Sequence, residues 1–371
     1  MCIVNTCTVT AKSDYQSRQC IRRALRTGAE VFVTGCYSQL NSKTITKISD
    51  SIRIIPNEAK GIYFNENYRF NESSTLSNNH TRSRAFIKIQ DGCNNRCTYC
   101  SIRIARGPSR SVAKESIIRT INEAFYSGIN EVVLTGVHIG MYGADVDSSA
   151  SLPGLIKDIL KATGMPRIRL SSLEVNEIND DILELLTDSR ICKHLHIPLQ
   201  SGDDKILSKM ARHYTVRAYK EKIDQVLSSH SEISIGTDVI VGFPGEDDSS
   251  FERSFEFIEQ TGFSYLHVFP FSRRRLTAAY HFDDQVEPNV KQQRARRLRE
   301  LSARKKRDYM TKFAGRTLDL IVEDKIQGDS YNSTSGNYLR AMLNGQALKK
   351  GSLVSGKITM IENGMLFAEV T

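Results

Sequence analysis

The first part of the chain alternates short apolar runs with one polar stretch of helical periodicity. Apolar runs cover residues 2–7 and 31–36, and the helical pattern covers 13–27. Because short apolar runs bounded by polar residues are typical of buried strands, this order predicts a βαβ unit. Cys7 and Cys36 would then each stand where a strand ends, which is where open α/β sheets build their sites.

A polar segment separates this unit from a longer repeating pattern. Residues 64–83 are rich in Asn and Ser, with little aliphatic periodicity, as in a linker. Beyond it, short apolar strands alternate six times with amphipathic helices. This alternation predicts a parallel sheet curled into a barrel or partial barrel, with its site at the carboxyl ends of the strands. The predicted strands cover 85–90, 130–136, 167–172, 192–198, 234–242 and 263–269.

The pattern changes again near the C-terminus. A helix rich in Lys and Arg is predicted within 288–315, and short strands with Gly, Asn and Asp turns follow it. Such alternation indicates a small all-β domain. The chain is therefore predicted to be an α/β protein with an N-terminal α/β domain at 1–70, a barrel domain at 79–310 and a small β-barrel at 314–371.

Composition narrows the class of protein. With 371 residues and 40% hydrophobic residues the chain can bury a large core, and it has no apolar run of membrane-spanning length. The N-terminus does not resemble a signal peptide, so we expect a cytoplasmic protein with no membrane partner. Eight cysteines in that reducing compartment favour metal binding over disulfides. The net charge of +9 is compatible with nucleic acid as a partner, although many basic proteins bind none.

Three cysteines form a closely spaced triad in the loop after the first barrel strand. Cys93, Cys97 and Cys100 have the spacing C-x3-C-x2-C within DGCNNRCTYC. Three thiolates fill three of the four iron sites of a [4Fe-4S] cluster and leave the fourth open. An open iron can bind S-adenosylmethionine, whose reductive cleavage gives a 5′-deoxyadenosyl radical. The alternative is a zinc site, but zinc prefers four ligands and no further Cys or His lies nearby in sequence.

The triad resembles that of the radical SAM superfamily, whose members share a partial (β/α)6 barrel. Three motif groups resemble the methylthiotransferases within it: NTCTVT with VTGCYSQ, IKIQDGCNNRCTYCSIRIARGPSRS, and HLHIPLQSGDDKILSKMARHYT with TDVIVGFPGE. Together they span nearly the whole chain. NTCTVT and LTGVHIGMYG are most similar to the enzymes that act on N6-threonylcarbamoyladenosine beside the tRNA anticodon.

This resemblance implies two [4Fe-4S] clusters, with S-adenosylmethionine at the catalytic triad. The second, auxiliary cluster would be held by three cysteines of the N-terminal domain, and Cys7 and Cys36 match two of them. The first family cysteine lies on an earlier strand that this sequence lacks. Cys2 is either a substitute ligand or a buried small hydrophobe. Cys20 and Cys192 are expected to pack rather than bind metal.

The resemblance further implies a cofactor pocket lined by strand ends. Small residues there let the backbone approach the cofactor. Tyr99 would lie near the adenine, and Glu174 would bind the ribose or the ammonium group unless it is simply an exposed carboxylate. The candidate cofactor-binding residues are Tyr99, Gly136, Ser172, Glu174, Gln200, Ser201, Val241 and Gly242.

One motif departs from the family pattern Ser-x-Arg-x-Gly-Thr-x-Ala. The chain keeps the Ser, Arg, Thr and Ala, but Leu276 stands in place of the Gly. This change leaves open how the loop places the substrate. The matching residues are Ser272, Arg274, Thr277 and Ala279.

The C-terminal domain resembles the TRAM module that binds RNA in these enzymes. The implied partners are the anticodon stem-loop of tRNA, an electron donor such as a flavodoxin or ferredoxin, and a sulfur source. Candidate RNA contacts are the basic helix together with Asn337, Tyr338, Arg340, Lys349, Lys350 and Lys357. Two alternatives remain: a methylthiotransferase for isopentenyladenosine or a ribosomal protein, and a catalytically degenerate RNA-binding iron–sulfur protein.

Overall fold

The computed structural model describes residues 1–60, 63, 82–147 and 149–371. The chain divides into two compact units: Gly92–Pro108 and Ser272–Asp283 cluster with the N-terminal residues, and the remaining parts form the second unit. The predicted linker at 64–83 lies outside the described residues except for its last two positions.

The first unit contains the predicted βαβ arrangement. Strands β1 (Cys2–Thr6), β2 (Val31–Gly35) and β3 (Arg53–Ile54) form a parallel sheet in that order, and helix α1 (Ala11–Leu25) connects the first two. Thr10 starts the helix, since its hydroxyl accepts a hydrogen bond from the Ser13 amide at 3.1 Å. Short helices follow at α2 (Cys36–Leu40), α3 (Ser42–Thr46) and α4 (Ile102–Arg106). The sheet packs on an apolar core that includes Ile21, Val31, Val33, Tyr37 and Ile45.

Six parallel strands form a partial barrel in the second unit. Three-stranded sheets, ordered β4-β7-β8 and β9-β10-β11, are joined by a parallel bridge between Ser172 and His196. The six strands follow one another in chain order, which confirms the predicted partial (β/α)6 barrel. The strands are β4 (Ala85–Lys88), β7 (Glu131–Thr135), β8 (Arg167–Leu170), β9 (His194–His196), β10 (Ser234–Val241) and β11 (Tyr265–Pro270).

Two short strands outside the barrel, β5 (Gln90–Asp91) and β6 (Arg110–Ser111), pair antiparallel. Side-chain caps start several of the connecting helices: the Asp247 carboxylate accepts a hydrogen bond from the Ser250 amide at 2.7 Å. Within the described parts of the chain, no helix has the length and apolar character needed to cross a membrane. The helices are α5 (Lys114–Tyr126), α6 (Leu152–Ala162), α7 (Asp180–Leu185), α8 (Asp204–Lys209), α9 (Val216–Ser229) and α10 (Asp248–Gln260).

The end of the chain forms a closed five-stranded barrel, as the alternating pattern predicts. Helix α11 (Pro288–Thr311) leads into it, and Tyr309, Met310 and Phe313 at the end of this helix and just beyond it belong to the barrel core. The strand order is β12-β13-β14-β16-β15, with only the β14–β16 pair parallel. The strands are β12 (Thr317–Gln327), β13 (Ser330–Ser335), β14 (Arg340–Asn344), β15 (Leu353–Glu362) and β16 (Met365–Val370).

The small barrel is fixed to the amino ends of β7 and β8. Glu131 is buried and pairs with Arg167 and Arg169 at 2.6 and 2.8 Å. Burial raises the pKa of Glu131, but the two guanidinium groups outweigh it and hold the pKa below its usual value. Arg169 also donates to the carbonyl oxygens of Ser335 and Gly336, both at 3.0 Å. The small barrel therefore covers the amino ends of these strands, and the candidate site lies at their carboxyl ends.

Candidate active site

The triad loop is closed at its base by a tight backbone approach. Gly92 has a φ of +74°, and a Cβ added there would lie 1.9 Å from the carbonyl oxygen of Pro108. The amide of Cys93 donates to the carbonyl oxygen of Gly107 at 3.1 Å. The chain enters and leaves the loop side by side, and only glycine fits at position 92 because a side chain there would clash with Pro108.

The three cysteines of this loop form no disulfide and are partly exposed. The Cys100 amide donates to the carbonyl oxygen of Cys97 at 3.1 Å, and helix α4 starts immediately afterwards. Arg103 of that helix reaches back to the carbonyl oxygen of Asn94 at 3.1 Å. A compact loop that carries three cysteine thiols fits a [4Fe-4S] cluster with one open iron. Tyr99 lies half-buried in the same loop.

Gln90 precedes the triad loop in the chain and belongs to the second unit. The sequence pattern did not identify it as a functional residue. Its side chain is fully buried. The amide nitrogen donates to the Ser109 hydroxyl at 2.8 Å, and the amide oxygen accepts from the His138 amide at 2.8 Å. A Cβ at Gly136 would lie 2.8 Å from the carbonyl oxygen of Gln90. Gln90 thereby ties the carboxyl end of β7 to Ser109 within the second unit.

Cys7 and Cys36 share one edge of the N-terminal sheet. They follow Thr6 and Gly35, which are register partners in β1 and β2. Gly35 has a φ of +100°, and a Cβ there would lie 2.3 Å from the Thr6 carbonyl oxygen. Cys36 is buried and Cys7 is exposed. The predicted placement of both cysteines at strand ends is confirmed.

The other cysteines lie elsewhere. Cys2 starts β1, so an extended strand of about 16 Å separates it from Cys7. Cys2 packs against the apolar core of the sheet, which argues against Cys2 as a ligand of the same cluster as Cys7 and Cys36. Cys192 is buried, as expected. The expectation that Cys20 packs is wrong: α1 turns its Ile21 face inward and leaves Cys20 exposed.

A side chain from the triad loop contacts the buried N-terminal cysteine. Arg106, at the end of α4, donates from Nε to the sulfur of Cys36 at 3.2 Å. Nearby, the Asn57 side chain donates to the carbonyl oxygen of Ala105 at 3.3 Å. A charged N–H group directed at sulfur is a typical partner of a thiolate that binds iron. The two cysteine motifs therefore meet within one compact unit.

The motif that departs from the family pattern packs on the same unit. Arg274 forms a two-pronged ion pair with Asp14, at 2.8 and 2.9 Å, and donates to the Thr8 carbonyl oxygen at 2.8 Å. The Ser272 hydroxyl accepts a hydrogen bond from the Ala11 amide at 3.0 Å, at the first residue of α1. These contacts fix the chain just after Cys7, a role that the sequence did not reveal.

The second half of this motif reaches the triad loop. Ala279 is buried, and its amide donates to the carbonyl oxygen of Thr98 at 2.9 Å. Thr277 is also buried and donates from its hydroxyl to the Arg274 carbonyl oxygen at 2.8 Å. Leu276, in contrast, is 54% exposed. The loop therefore keeps its contacts although a leucine replaces the glycine.

Candidate residues after β8 form an ion-paired group. Ser172 forms the bridge to His196, and Glu174 pairs with the guanidinium of Arg212. The Arg212 side chain is only 4% exposed, so it holds Glu174 rather than lying in solvent. Glu177 also accepts a hydrogen bond from the Glu174 amide at 2.9 Å. Glu174 is thus a positioned carboxylate, and Arg212 is a residue that the sequence analysis missed.

The candidates after β9 sit on a strained segment. Gln200 has a φ of +67°, which is unusual for a residue with a side chain. Its amide donates to the Asp238 carbonyl oxygen at 2.8 Å, and its carbonyl accepts from the Ile240 amide at 2.9 Å. The next residue, Ser201, is buried. Hydrogen bonds to β10 therefore hold the unfavourable conformation, as is common at functional sites.

A buried carboxyl group supports the turn after β10. Val241 is the buried last residue of the strand, and Gly242 follows with a φ of +69°. The Gly242 amide donates to Glu246 at 2.9 Å, and Glu246 pairs with Arg294 at 2.7 Å. Burial raises the pKa of Glu246 to about 7, against the opposing effects of the Gly242 amide and Arg294. All seven candidates from β7 to β10 thus follow or end neighbouring parallel strands.

The candidate RNA contacts differ in exposure. Arg340, Lys349 and Lys357 are exposed, and Lys350 is partly buried and pairs with Asp324. Asn337, however, is buried, and the Tyr338 ring stacks on His194 with the ring centroids 4.5 Å apart. Tyr338 thereby joins the small barrel to the larger one, although its side chain is 40% exposed. Burial argues against a nucleotide contact by Asn337, whereas a contact by Tyr338 stays a prediction.

Much of the basic helix α11 faces its acidic neighbour. Arg294 is buried against Glu246, and Arg297 and Arg304 pair with Glu252 and Glu259 of α10. These basic residues hold the helix on the larger barrel, because acidic residues of α10 lie opposite them. Their clustering in sequence is therefore weak support for an RNA contact.

Comparison with known proteins gives one consistent family. A family profile described as the radical SAM superfamily matches residues 87–258, and one described as uncharacterized protein family UPF0004 matches residues 1–56. The threonylcarbamoyladenosine tRNA methylthiotransferase MtaB of Bacillus subtilis is 35% identical, over 96% of this chain and 84% of that protein. Its namesake from Aquifex aeolicus is 34% identical, over 89% and 85%.

Further relatives and solved structures agree at a coarser level. A tRNA-2-methylthio-N(6)-dimethylallyladenosine synthase of Thermoanaerobacter is 34% identical, over 74% of this chain and 59% of that protein. The radical S-adenosylmethionine methyltransferase TsrM from Kitasatospora setae, solved with cobalamin and a [4Fe-4S] cluster bound, has a TM-score of 0.56 at 13% identity. It covers 75% of this chain and 64% of that chain. At this identity the similarity shows the fold alone.

Proposed function

The chain belongs to the radical SAM tRNA methylthiotransferases, and we propose that it adds a methylthio group to C2 of N6-threonylcarbamoyladenosine next to the tRNA anticodon. The relatives named for this nucleoside match most of the chain and most of their own length. The structural observation that carries the proposal is the meeting of the two cysteine motifs, where Arg106 contacts Cys36 at 3.2 Å. A methylthiotransferase needs both motifs together, one for the radical and one for the sulfur.

Members of this family use S-adenosylmethionine and a [4Fe-4S] cluster. Cys93, Cys97 and Cys100 would hold the cluster, which supplies the electron for reductive cleavage of the cofactor. The loop that carries these three thiols is fixed at its base by the close approach of Gly92 and Pro108. Rigid contacts of this kind are needed to hold catalytic groups in position.

We assign the binding of S-adenosylmethionine to the strand-end residues. Glu174, held by Arg212, would accept hydrogen bonds from the ribose or the ammonium group. Gly136 and Gly242 lie at the ends of β7 and β10, where the lack of a side chain would let the backbone approach the cofactor, and Tyr99 would lie near the adenine. The remaining proposed contacts are Ser172, Gln200, Ser201 and Val241.

An auxiliary [4Fe-4S] cluster on Cys7 and Cys36 is the second part of the proposal. Ser17 of α1 fixes the backbone of Cys7 through hydrogen bonds of 3.2 and 2.9 Å, and Arg106 contacts the sulfur of Cys36. Cys2 is too distant to complete this ligand set. An external electron donor, such as a flavodoxin or ferredoxin, and a sulfur source would serve the two sites.

We further propose that the C-terminal barrel is a TRAM-like module that binds the tRNA anticodon stem-loop. A closed five-stranded barrel of this kind suits nucleic-acid binding, and the exposed Arg340, Lys349 and Lys357 would neutralise phosphates. Because such contacts are electrostatic, the binding should weaken as the salt concentration rises.

Anaerobic reconstitution with iron and sulfide tests the proposal. About eight irons per chain, together with 5′-deoxyadenosine formation under reduction, would support two clusters. About four irons with deoxyadenosine would limit the chain to the catalytic cluster. Retention of tRNA without any cofactor cleavage would replace the proposal by a degenerate RNA-binding protein. Product formed only with isopentenyladenosine tRNA or a ribosomal protein would reassign the substrate.

A further inference from the structure

Three metal-ligating side chains lie on neighbouring strands of the partial barrel. His196 ends β9, and Asp238 and His267 are register partners on β10 and β11. The hydroxyl of Thr237 bonds to the Ile197 carbonyl oxygen and lies 3.4 Å from the hydroxyl of Tyr219 on α9, so Thr237 faces the helices. Since side chains alternate along a strand, Asp238 faces the interior of the barrel.

The spacing of the three ligand atoms is close to that of a metal site. The Nε2 atom of His196 lies 3.0 Å from Oδ1 of Asp238, and Nδ1 of His267 lies 3.6 Å from the same oxygen. One ligand atom from each residue lies within 4.8 Å of the other two. Bonds of about 2.1 Å to a zinc ion place neighbouring ligand atoms roughly 3.0–3.4 Å apart. Small side-chain rotations would therefore bring the three ligand atoms to the spacing found around a zinc ion.

A second layer of contacts orients the ligands. The hydroxyl of Tyr265 lies 3.5 Å from Nδ1 of His196 and 2.8 Å from Nε2 of His194. Histidines that bind metal through one ring nitrogen usually engage a polar partner with the other. The Tyr338 ring, stacked on His194, packs beneath this group.

The ligand types define the class of ion. Two imidazoles and one carboxylate suit borderline divalent transition metals, and carboxylate and imidazole bind zinc more tightly than iron(II). The His267 side chain is 53% exposed, which gives an ion a path of entry.

We propose that His196, Asp238 and His267 form a binding site for a divalent transition metal, with Zn²⁺ as the best match. Three protein ligands leave at least one coordination position open for water or for an oxygen of a bound molecule. The site uses none of the cysteines, so it stands or falls independently of the methylthiotransferase proposal.

Zinc uptake by the reconstituted protein tests the site, because iron–sulfur clusters then occupy the cysteines proposed to bind iron. After incubation with ZnCl2 and desalting, elemental analysis should find about one zinc per chain with an unchanged iron content. His267→Ala and Asp238→Asn should weaken zinc binding at least tenfold. His213→Ala, which alters an exposed histidine elsewhere in the second unit, should bind zinc like the wild type.

Three results would overturn the proposal. The first is the absence of retained zinc in the wild type. The second is equal zinc retention by the wild type and His267→Ala, which would show adventitious binding. The third is zinc uptake matched by iron loss, which would place the zinc on cysteines. Circular dichroism and iron content of each variant confirm that the fold and the clusters are intact.

Discussion

The guanidinium group of Arg106 donates a hydrogen bond to the sulfur of Cys36 at 3.2 Å. The two residues are 70 positions apart in the chain, and this contact brings the helix after the catalytic triad against the proposed auxiliary cluster ligand. An N–H group directed at a ligating sulfur stabilises the reduced, more negative form of an iron–sulfur cluster. Arg106 is therefore placed to position Cys36 and to tune the cluster it would hold.

Replacing Arg106 by Ala should affect the auxiliary cluster and spare the triad. We expect methylthio product to fall at least tenfold, while reductive deoxyadenosine formation stays within about threefold of wild type. An EPR-monitored redox titration should show a lower midpoint potential or loss of one cluster signal. Ile104→Ala, at a half-exposed position of the same helix, is the matched control. Unchanged cluster signals in Arg106→Ala would rule out this role.

Replacing Cys97 by Ala should abolish cleavage of S-adenosylmethionine. Two thiolates cannot hold the cluster in the geometry that leaves one iron open, so deoxyadenosine should fall to background. Chromatographic quantification under dithionite measures this directly. Cys20→Ala, which removes an exposed thiol of α1, should retain wild-type cleavage. Residual cleavage by Cys97→Ala well above the no-enzyme level would remove the triad from the mechanism.

The Arg274–Asp14 pair should stabilise the first unit. Its side chains are only 11% and 16% exposed, and Arg274→Ala would leave the Asp14 carboxylate poorly compensated. We expect a loss of about 2 kcal/mol in unfolding free energy. Thermal unfolding of wild type, both single variants and the double variant would measure the coupling, with exposed Arg275→Ala as control. Additive single effects would show that the two residues do not interact.

Leu276 should be a neutral departure from the family pattern. Its side chain is 54% exposed, while the residues around it keep their hydrogen bonds. Leu276→Gly should therefore change the rate of methylthio formation by less than about threefold, as for other exposed substitutions. A tenfold or larger gain in rate would show instead that the leucine hinders substrate placement.

Glu246 should make the stability depend on pH. Its pKa is raised to about 7 by burial, so the folded state binds more protons than the unfolded state between the ordinary carboxyl pKa and 7. Stability should then fall as the pH rises through this window, by about 1–3 kcal/mol. Thermal unfolding midpoints between pH 5 and 8 should show this slope in the wild type and a weaker one in Glu246→Gln. Equal slopes would assign the effect to other groups.

The sequence allowed the fold to be predicted because its signals are local. Alternation of strands and helices defines the βαβ unit and the partial barrel, and the triad spacing defines the cluster loop. Gln90, Arg106 and Arg212 could not be predicted, since their importance arises from contacts with residues distant in sequence. The contribution of long-range packing is invisible in a local pattern.

The same limit explains the misassigned residues. A run of arginines in α11 indicates positive charge but not which acidic side chains lie opposite, and Arg294 is buried against Glu246. Asn337 was a candidate RNA contact, yet its side chain is buried. Helical periodicity predicted α1 correctly but not the exposed position of Cys20.

Nucleoside analysis of the product RNA tests the central claim most directly. The reconstituted protein would be incubated with S-adenosylmethionine, a reductant, a sulfide source and tRNA that carries N6-threonylcarbamoyladenosine, and the digested RNA analysed by mass spectrometry. We predict the 2-methylthio derivative of that nucleoside, and none when the tRNA lacks the threonylcarbamoyl group or when Cys97→Ala replaces the wild type. Unmodified N6-threonylcarbamoyladenosine, recovered in full from a protein that holds both clusters and cleaves S-adenosylmethionine, would contradict the assignment.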